Sequence, residues 1–411
     1  MKNLAVIIAS LAILTSSVSC DKIGGGNNED NPRKALELDT KSKEFVQKGS
    51  TFAFDFLARI DAAEKKDYIV SPLSMQFLLG MILDGAQGET ADEICQVLGY
   101  GAGEVAAVNN CNLALLQQLP KLDKKTKLSI ANAIFVNQEY KLLDSYKDDV
   151  SRYYDAEASN LNFRDQAKAL KTINGWCDRQ TNGLVPKVLD DVDPNVLAYL
   201  LDAMYFKGQW KEKFDKSKTA SESFTDEAGN KLNVKMMKND EEFWYAENEI
   251  YQAVEMPYGN GAYSMVAFLP TAGHKVADVI ASLKGADWNA VRTEMGPCSV
   301  DLWLPRFETK YHVKLNGILS AMGMPRAFSS GADFKAMSEH AFFLSFVQQH
   351  AAIKVDEAGT EAAVVSSSGM FAEAMPGPRT RVVFHADHPF LYLITESSTG
   401  AILFAGRYSG K

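Results

Sequence analysis

The chain has 411 residues, 46% of them hydrophobic and 23% charged, with a formal net charge of −9 and an isoelectric point near 5.3. That composition fits one large, well-cored globular domain. It excludes a nucleic-acid binder, which needs a basic face. No repeat at a period of about 20–50 residues is visible, which removes solenoids and propellers.

In chain order, residues 1–19 read as a targeting segment. Lys2 gives a short basic start, and the apolar run from Leu4 to Leu14 is too short to span a bilayer. Small residues Ser17, Val18 and Ser19 then precede Cys20, and residues 20–44 read as a flexible polar tether, with Gly24-Gly25-Gly26-Asn27-Asn28-Glu29-Asp30-Asn31-Pro32 at its centre. A structured domain is expected over 45–411. Thr51 to Ala63 shows helical periodicity, with Phe52, Phe56, Leu57 and Ile60 on one face. Ser71 before Pro72 is an N-cap followed by proline at the first helical position. Lys121-Leu122-Asp123-Lys124-Lys125 reads as a solvated loop.

The second half is richer in strands: Tyr251 to Met256, Ser264 to Leu269, Val300 to Leu304 and Ala401 to Tyr408, with Gly259-Asn260-Gly261 as a turn signal. Helices early and strands late predict an α+β fold. Cys95, Cys111, Cys177 and Cys298 show no clustered spacing, and a domain this large needs no staples, so free and mostly buried thiols are expected.

Enzymatic motifs are missing from the sequence. Of the histidines only His385 and His388 are close, and residues three apart on a strand face opposite ways, so they cannot share a metal. No Gly-x-Ser-x-Gly elbow, phosphate loop or His-Glu-x-x-His occurs. Ser366-Ser367-Ser368 has no assignable histidine or acid partner. The reading is therefore not an enzyme, with no cofactor and no metal.

The most informative stretch is Asp356-Glu357-Ala358-Gly359-Thr360-Glu361-Ala362-Ala363-Val364-Val365. It begins as a strand and runs into a loop of small or β-branched residues with no proline before Pro376. Thr360 and the valines favour extended backbone, and the alanines are small enough for a crowded core. From Gly359 to Arg381 nothing reads as a regular element, and loops that long are usually functional or disordered. Alternation would put Thr360, Ala362, Val364, Ser366, Ser368 and Met370 on one uncharged face, with Glu361 on the other.

This segment resembles the hinge and reactive-centre loop of the serpins, inhibitors that trap proteases by inserting the loop into a sheet. The resemblance extends to Ser71-Pro72-Leu73-Ser74, Gly85-Ala86-Gln87-Gly88-Glu89-Thr90, Ile130-Ala131-Asn132-Ala133-Ile134-Phe135, Ile173-Asn174-Gly175-Trp176, Phe206-Lys207-Gly208-Gln209-Trp210, Glu255-Met256-Pro257-Tyr258 and Phe384 to Ile394, all in the family's order. It implies helices packed around three β-sheets with an exposed loop, and a suicide substrate whose loop is cut and inserted. About fourteen inserted residues at roughly 3.3 Å each would carry an attached protease on the order of 45 Å.

By the family's usual spacing the cut falls at Glu373–Ala374. Phe371–Ala372 is the alternative, because elastase-like and chymotrypsin-like pockets accept apolar anchors more readily than Glu. Serine endopeptidases of those types are the implied partners, with cysteine proteases a further class. The hinge would comprise Glu357, Gly359, Thr360, Glu361, Ala362, Ala363, Val364 and Val365. The bulk of Val364 and Val365, where alanines are usual, is expected to slow insertion.

Ser71 and Ser74 match the polar cluster called the shutter, where Asp202 and Gln349 replace the usual Asn and His. A glutamine amide can donate to a carboxylate, so these two are expected to pair, with a solvated or water-bridged Asp202 as the other reading. Trp210 matches the breach tryptophan, and it is equally an aromatic core residue. The N-terminus resembles a bacterial lipoprotein signal, although leucine is usual where Ser17 stands. That implies lipidation at Cys20, membrane attachment through the lipid, and a monomer held in a Gram-negative cell envelope, in either leaflet. The runner-up function is a non-inhibitory serpin-fold binding or carrier protein.

Overall fold

Asp39 starts the first ordered helix by accepting a hydrogen bond from the Ser42 amide at 2.6 Å. The computed structural model describes residues 31–101, 103–345, 347–360 and 380–411. Its helices are α1 (Thr40–Ala63), α2 (Pro72–Gly85), α3 (Gly88–Leu98), α4 (Val105–Gln118), α5 (Asp144–Tyr154), α6 (Gln166–Gln180), α7 (Val276–Gly285), α8 (Trp288–Glu294) and α9 (Asn316–Met322). Its strands are β1 (Tyr68–Val70), β2 (Lys127–Asn137), β3 (Glu157–Leu161), β4 (Ala198–Gln209), β5 (Ala220–Thr225), β6 (Lys231–Glu247), β7 (Tyr251–Tyr258), β8 (Tyr263–Pro270), β9 (Gly296–Pro305), β10 (Phe307–Lys314), β11 (Gln348–Asp356), β12 (Gly359–Thr360), β13 (Arg381–His385), β14 (Phe390–Glu396) and β15 (Ile402–Tyr408). No described helix is long and apolar enough to cross a membrane.

The chain packs earlier than its composition indicates. Leu36 and Leu38 are buried, the Leu36 amide donates to Ser398 Oγ at 3.0 Å, and α1 begins at Thr40. Residues 36–44, placed with the tether from sequence, therefore belong to the folded body. Asp123 is also buried rather than solvated. It accepts from Thr126 Oγ1 and Asn31 Nδ2, and from the Asn260 amide in the β7–β8 turn. Its lysine neighbours Lys121, Lys124 and Lys125 are exposed, as expected.

Two sheets result. Six strands run β10-β11-β12-β4-β2-β3, and nine form the path β1-β15-β14-β8-β7-β6-β9-β13 with β5 paired to β6. The seventeen-residue β6 pairs with β5, β7 and β9, which joins two of the three expected sheets into one ladder. Its charged run Lys235 to Glu242 hid it from a hydrophobicity reading. The strands expected at 251–256, 264–269, 300–304 and 401–408 correspond to β7, β8, β9 and β15.

Helix α2 is apolar on nearly every side, as a helix buried between layers must be. It packs on β4 of one sheet and β15 of the other. The opposite face of the six-stranded sheet is covered by a smaller core in which Ile173 and Trp176 of α6 meet Phe135, Tyr199 and Ala203. Cys95, Cys111 and Cys177 are buried free thiols and Cys298 is a half-buried one.

The far end of α2 carries a titratable group. Asp84 Oδ1 accepts from Asn109 Nδ2 at 2.7 Å, Asn109 Oδ1 accepts from Tyr154 OH at 2.8 Å, and Asp84 Oδ2 is buried with no partner. Burial pushes this carboxyl from its ordinary 3.8 up to about 7, with the nearby charge of Asp149 adding to the rise. The folded protein thus holds a proton that the unfolded chain releases, so stability falls as pH rises from 3.8 to about 7 and is level above. Asp84→Asn is expected to remove that slope and to stabilise the protein at pH 8 by on the order of 4 kcal/mol. Urea unfolding of both proteins at pH 5 and pH 8 checks it, and equal pH dependence would refute it.

Candidate functional site: hinge, breach and shutter of the six-stranded sheet

Both described residues of strand β12 are paired on both sides. Thr360 lies opposite Val355 of β11 and Gly208 of β4, and Gly359 lies opposite Asp356 and Gln209. The hinge thus occupies a strand position between β11 and β4, and among the described residues those two strands share no registered pairs of their own. Gly359 is needed there. Its φ is +155° and a Cβ would come 2.1 Å from the Gly208 carbonyl oxygen.

Above this pair sits the breach. Trp210 is 3% exposed, donates from Nε1 to the Asp356 carbonyl at 2.8 Å, and donates its amide to the Ala358 carbonyl at 3.0 Å. Its ring stacks on Tyr258 with centroids 4.4 Å apart. The Tyr258 hydroxyl shares a 2.6 Å hydrogen bond with Thr360 Oγ1. Trp210 is therefore both the breach residue and a core aromatic. Glu357 is also buried. Its Oε1 accepts from Thr219 Oγ1 at 2.8 Å and lies 3.6 Å from Arg306 Nη1, so a buried carboxylate keeps partners. Tyr258, Thr219 and Arg306 received no role from sequence. The signal for Tyr258 was its place in Glu255-Met256-Pro257-Tyr258, whereas nothing local marks Thr219 or Arg306.

Lower in the sheet the shutter departs from expectation. Gln349 does not pair with Asp202. Its Oε1 accepts from the Ser71 amide and its Nε2 donates to the Ser71 carbonyl, both at 2.9 Å. Ser71 is the N-cap of α2: its carbonyl accepts the first helical bond, from the Met75 amide at 3.1 Å, its own amide lies outside the helix, and its Oγ donates to the Leu403 carbonyl at 2.7 Å. One glutamine thus bonds both main-chain groups of a cap, and its amide is turned to Ser71 rather than to Asp202. Asp202 Oδ1 instead accepts from Ser74 Oγ. The residue as a whole is half-buried, yet its Oδ2 is sealed from solvent without a partner, and burial pushes the carboxyl well above the usual carboxylate range. A cavity of about 70 Å³ lies beside it between β4 and β11, floored by Ser74, Met75 and Leu78 of α2.

Residues Cys20, Glu361, Ala362, Ala363, Val364, Val365, Phe371, Ala372, Glu373 and Ala374 lie outside the described residues. Of the two close histidines, His385 stacks on Trp303 at 4.0 Å, and His388 bonds to Asp387 Oδ1 at 2.8 Å and to the Pro270 carbonyl at 2.9 Å.

The chain matches the family described as serpin (serine protease inhibitor) over residues 47–410. Similar proteins include human serpin B3, 30% identical across 87% of this chain and 97% of that protein. An uncharacterized serpin-like protein of Thermococcus kodakarensis is 31% identical across 89% of this chain and 86% of its own. Among solved structures, the thermophilic serpin tengpin in its native state superposes with a TM-score of 0.81 at 28% identity, covering 92% of this chain and 96% of tengpin. Human thyroxine-binding globulin superposes with a TM-score of 0.80 at 27% identity, over 90% and 98% of the two chains. With Gly359 and Thr360 seated between two strands, beside Trp210 and above the Ser71–Gln349 pairing, the chain belongs to the serpins, the family of serine protease inhibitors.

Proposed function

We propose that the protein inhibits proteases as a suicide substrate whose cut loop inserts between β11 and β4. The observation that carries this reading is β12, which pairs with both neighbours at once. Two strands that share no registered pairs with each other among the described residues leave room for an added strand between them, and extension of β12 would use both edges. Thr360, the last described hinge residue, already faces the core at 2% exposure. The proposed cut is at Glu373–Ala374, with Phe371–Ala372 second, and the proposed targets are elastase-like or chymotrypsin-like serine endopeptidases. Lipidation at Cys20 would hold the inhibitor in a bacterial cell envelope. The experiment is incubation with a panel of elastase-type, chymotrypsin-type and papain-type enzymes, followed by denaturing electrophoresis. A covalent complex with at least one serine protease is expected, and sequencing its released C-terminal fragment identifies the bond. Cleavage without a complex across the panel would overturn inhibition. It would favour the carrier reading, for which a ligand-bound neighbour such as thyroxine-binding globulin is a precedent.

A further inference from the structure

Strands β10 and β11 bring together two histidines that are far apart in the chain. His312 lies directly opposite His350 in the antiparallel register, so both side chains stand on the same face of the sheet. Their rings stack with centroids 4.0 Å apart and planes 19° from parallel. Gln348 precedes His350 by two positions on β11 and therefore shares that face. Its Oε1 lies 3.2 Å from His312 Nε2 and 3.5 Å from His350 Nε2. Two ring nitrogens and one amide oxygen thus meet at one spot.

Those separations are the ones a metal imposes on its ligands. Atoms held about 2.1 Å from one ion stand roughly 3.0 Å apart at a right angle and roughly 3.4 Å apart in a tetrahedron. A purely hydrogen-bonded trio would show similar distances, because an amide oxygen can accept from both rings. The surroundings favour a cation. His312 is exposed, which gives an ion its entry path. All three residues line a cleft of about 410 Å³, where Asp190, Asp191 and Asp193 outnumber Lys187 and Lys314. The Val188 carbonyl, from the segment that follows α6, bonds to the His350 ring. Backbone support of that kind orients an imidazole that ligates a metal.

We propose that His312, His350 and Gln348 form a binding site for a divalent transition metal of the Ni²⁺, Cu²⁺ or Zn²⁺ class, with water completing the coordination. Imidazole nitrogen selects these ions over Mg²⁺ and Ca²⁺, which take oxygen ligands. Among the described residues no three histidine, cysteine, aspartate or glutamate side chains are grouped to hold a metal. The site therefore depends on the amide oxygen, and it is an exchangeable site rather than a structural centre. Spacing along the chain does not reveal it, since only His385 and His388 are close in sequence. A bound ion would tie β10 to β11, the strand that also pairs with β12. The proposal holds whether or not the protein inhibits proteases.

The test is isothermal titration calorimetry of the untagged full-length protein, stripped with EDTA and dialysed, against NiCl₂, ZnCl₂ and MgCl₂. Wild type is expected to take up Ni²⁺ and Zn²⁺ saturably at a single site and to ignore Mg²⁺. Loss of a supporting partner alone weakens a metal site by about 10–100-fold, so His312→Ala and His350→Ala should each weaken Ni²⁺ binding by at least about tenfold. Gln348→Leu should weaken it too. Gln348→Glu puts a carboxylate where the amide stood and should tighten it, a gain that no folding defect can imitate. His274→Asn and His388→Asn, elsewhere in the fold, should bind as wild type does. No saturable uptake by wild type, an affinity unchanged in both alanine variants, or equal binding of Mg²⁺ would overturn the site and leave the two rings as hydrogen-bonding partners of Gln348.

Discussion

A single cut between residues 361 and 379 is expected to raise the melting temperature of the protein by on the order of 10–15 °C. About ten residues beyond Thr360 would join the six-stranded sheet, each adding roughly one net main-chain hydrogen bond at about 1 kcal/mol, for a total on the order of 10 kcal/mol. Unfolding entropy of about 2.1 cal/mol/K per residue converts each kcal/mol into roughly 1.3 °C for a domain of this length. The uncut chain cannot collect this gain, because β12 and β13 hold the two ends of the loop in different sheets. Calorimetry of the intact protein and of protein nicked by a protease that it does not trap would decide the matter. Identical melting temperatures would rule out insertion.

The second large effect is expected from Thr360→Arg. Thr360 is 2% exposed, its hydroxyl bonds to Tyr258 at 2.6 Å, and its row neighbour Val355 is fully buried. A guanidinium there has no acid within the row, and leaving a charge uncompensated in the interior costs roughly 3–5 kcal/mol. The variant should be cut at the wild-type rate yet yield at least tenfold less covalent complex, because slower insertion lets the acyl-enzyme hydrolyse first. Glu361→Arg, one residue on and facing the other side, should retain complex formation. Thr360→Val, which keeps the shape and loses only the bond to Tyr258, guards against a folding defect in the arginine variant. Undiminished complex from Thr360→Arg would refute burial of this position during trapping.

Much of this site was legible because its residues are locally coded. Ser71 with Pro72 marks a helix start by its cap and proline, and α2 begins there. The turn at 259–261 was equally visible, since Gly259 and Gly261 both take positive φ. What stayed hidden depends on partners far along the chain. The pairing of Gln349 with Ser71 spans 278 positions, and Glu357 finds Thr219 across 138. No local pattern tells a glutamine whether it will serve a carboxylate or a helix cap. The start of α1 at Thr40 was missed for a different reason: Lys41, Lys43, Glu44 and Lys48 interrupt its apolar stripe, and Phe45 and Val46 are the only apolar side chains that turn inward before Gly49, beside the buried Ser42.

The double pairing of Gly359 and Thr360 in β12 also bears on timing. Joining a free segment to a sheet usually begins with an unfavourable closure, since chain entropy is lost before any bond compensates. Here the first rungs exist before any enzyme arrives, with Trp210, Tyr258 and the Gly208 carbonyl fixing their register. On the proposed mechanism, entry would be a zipper that starts partly closed, its speed set by propagation rather than nucleation. The contest with hydrolysis of the acyl bond would then turn on how fast each next side chain passes the gap, and the bulk of Val364 and Val365 would act as a brake on a process already under way.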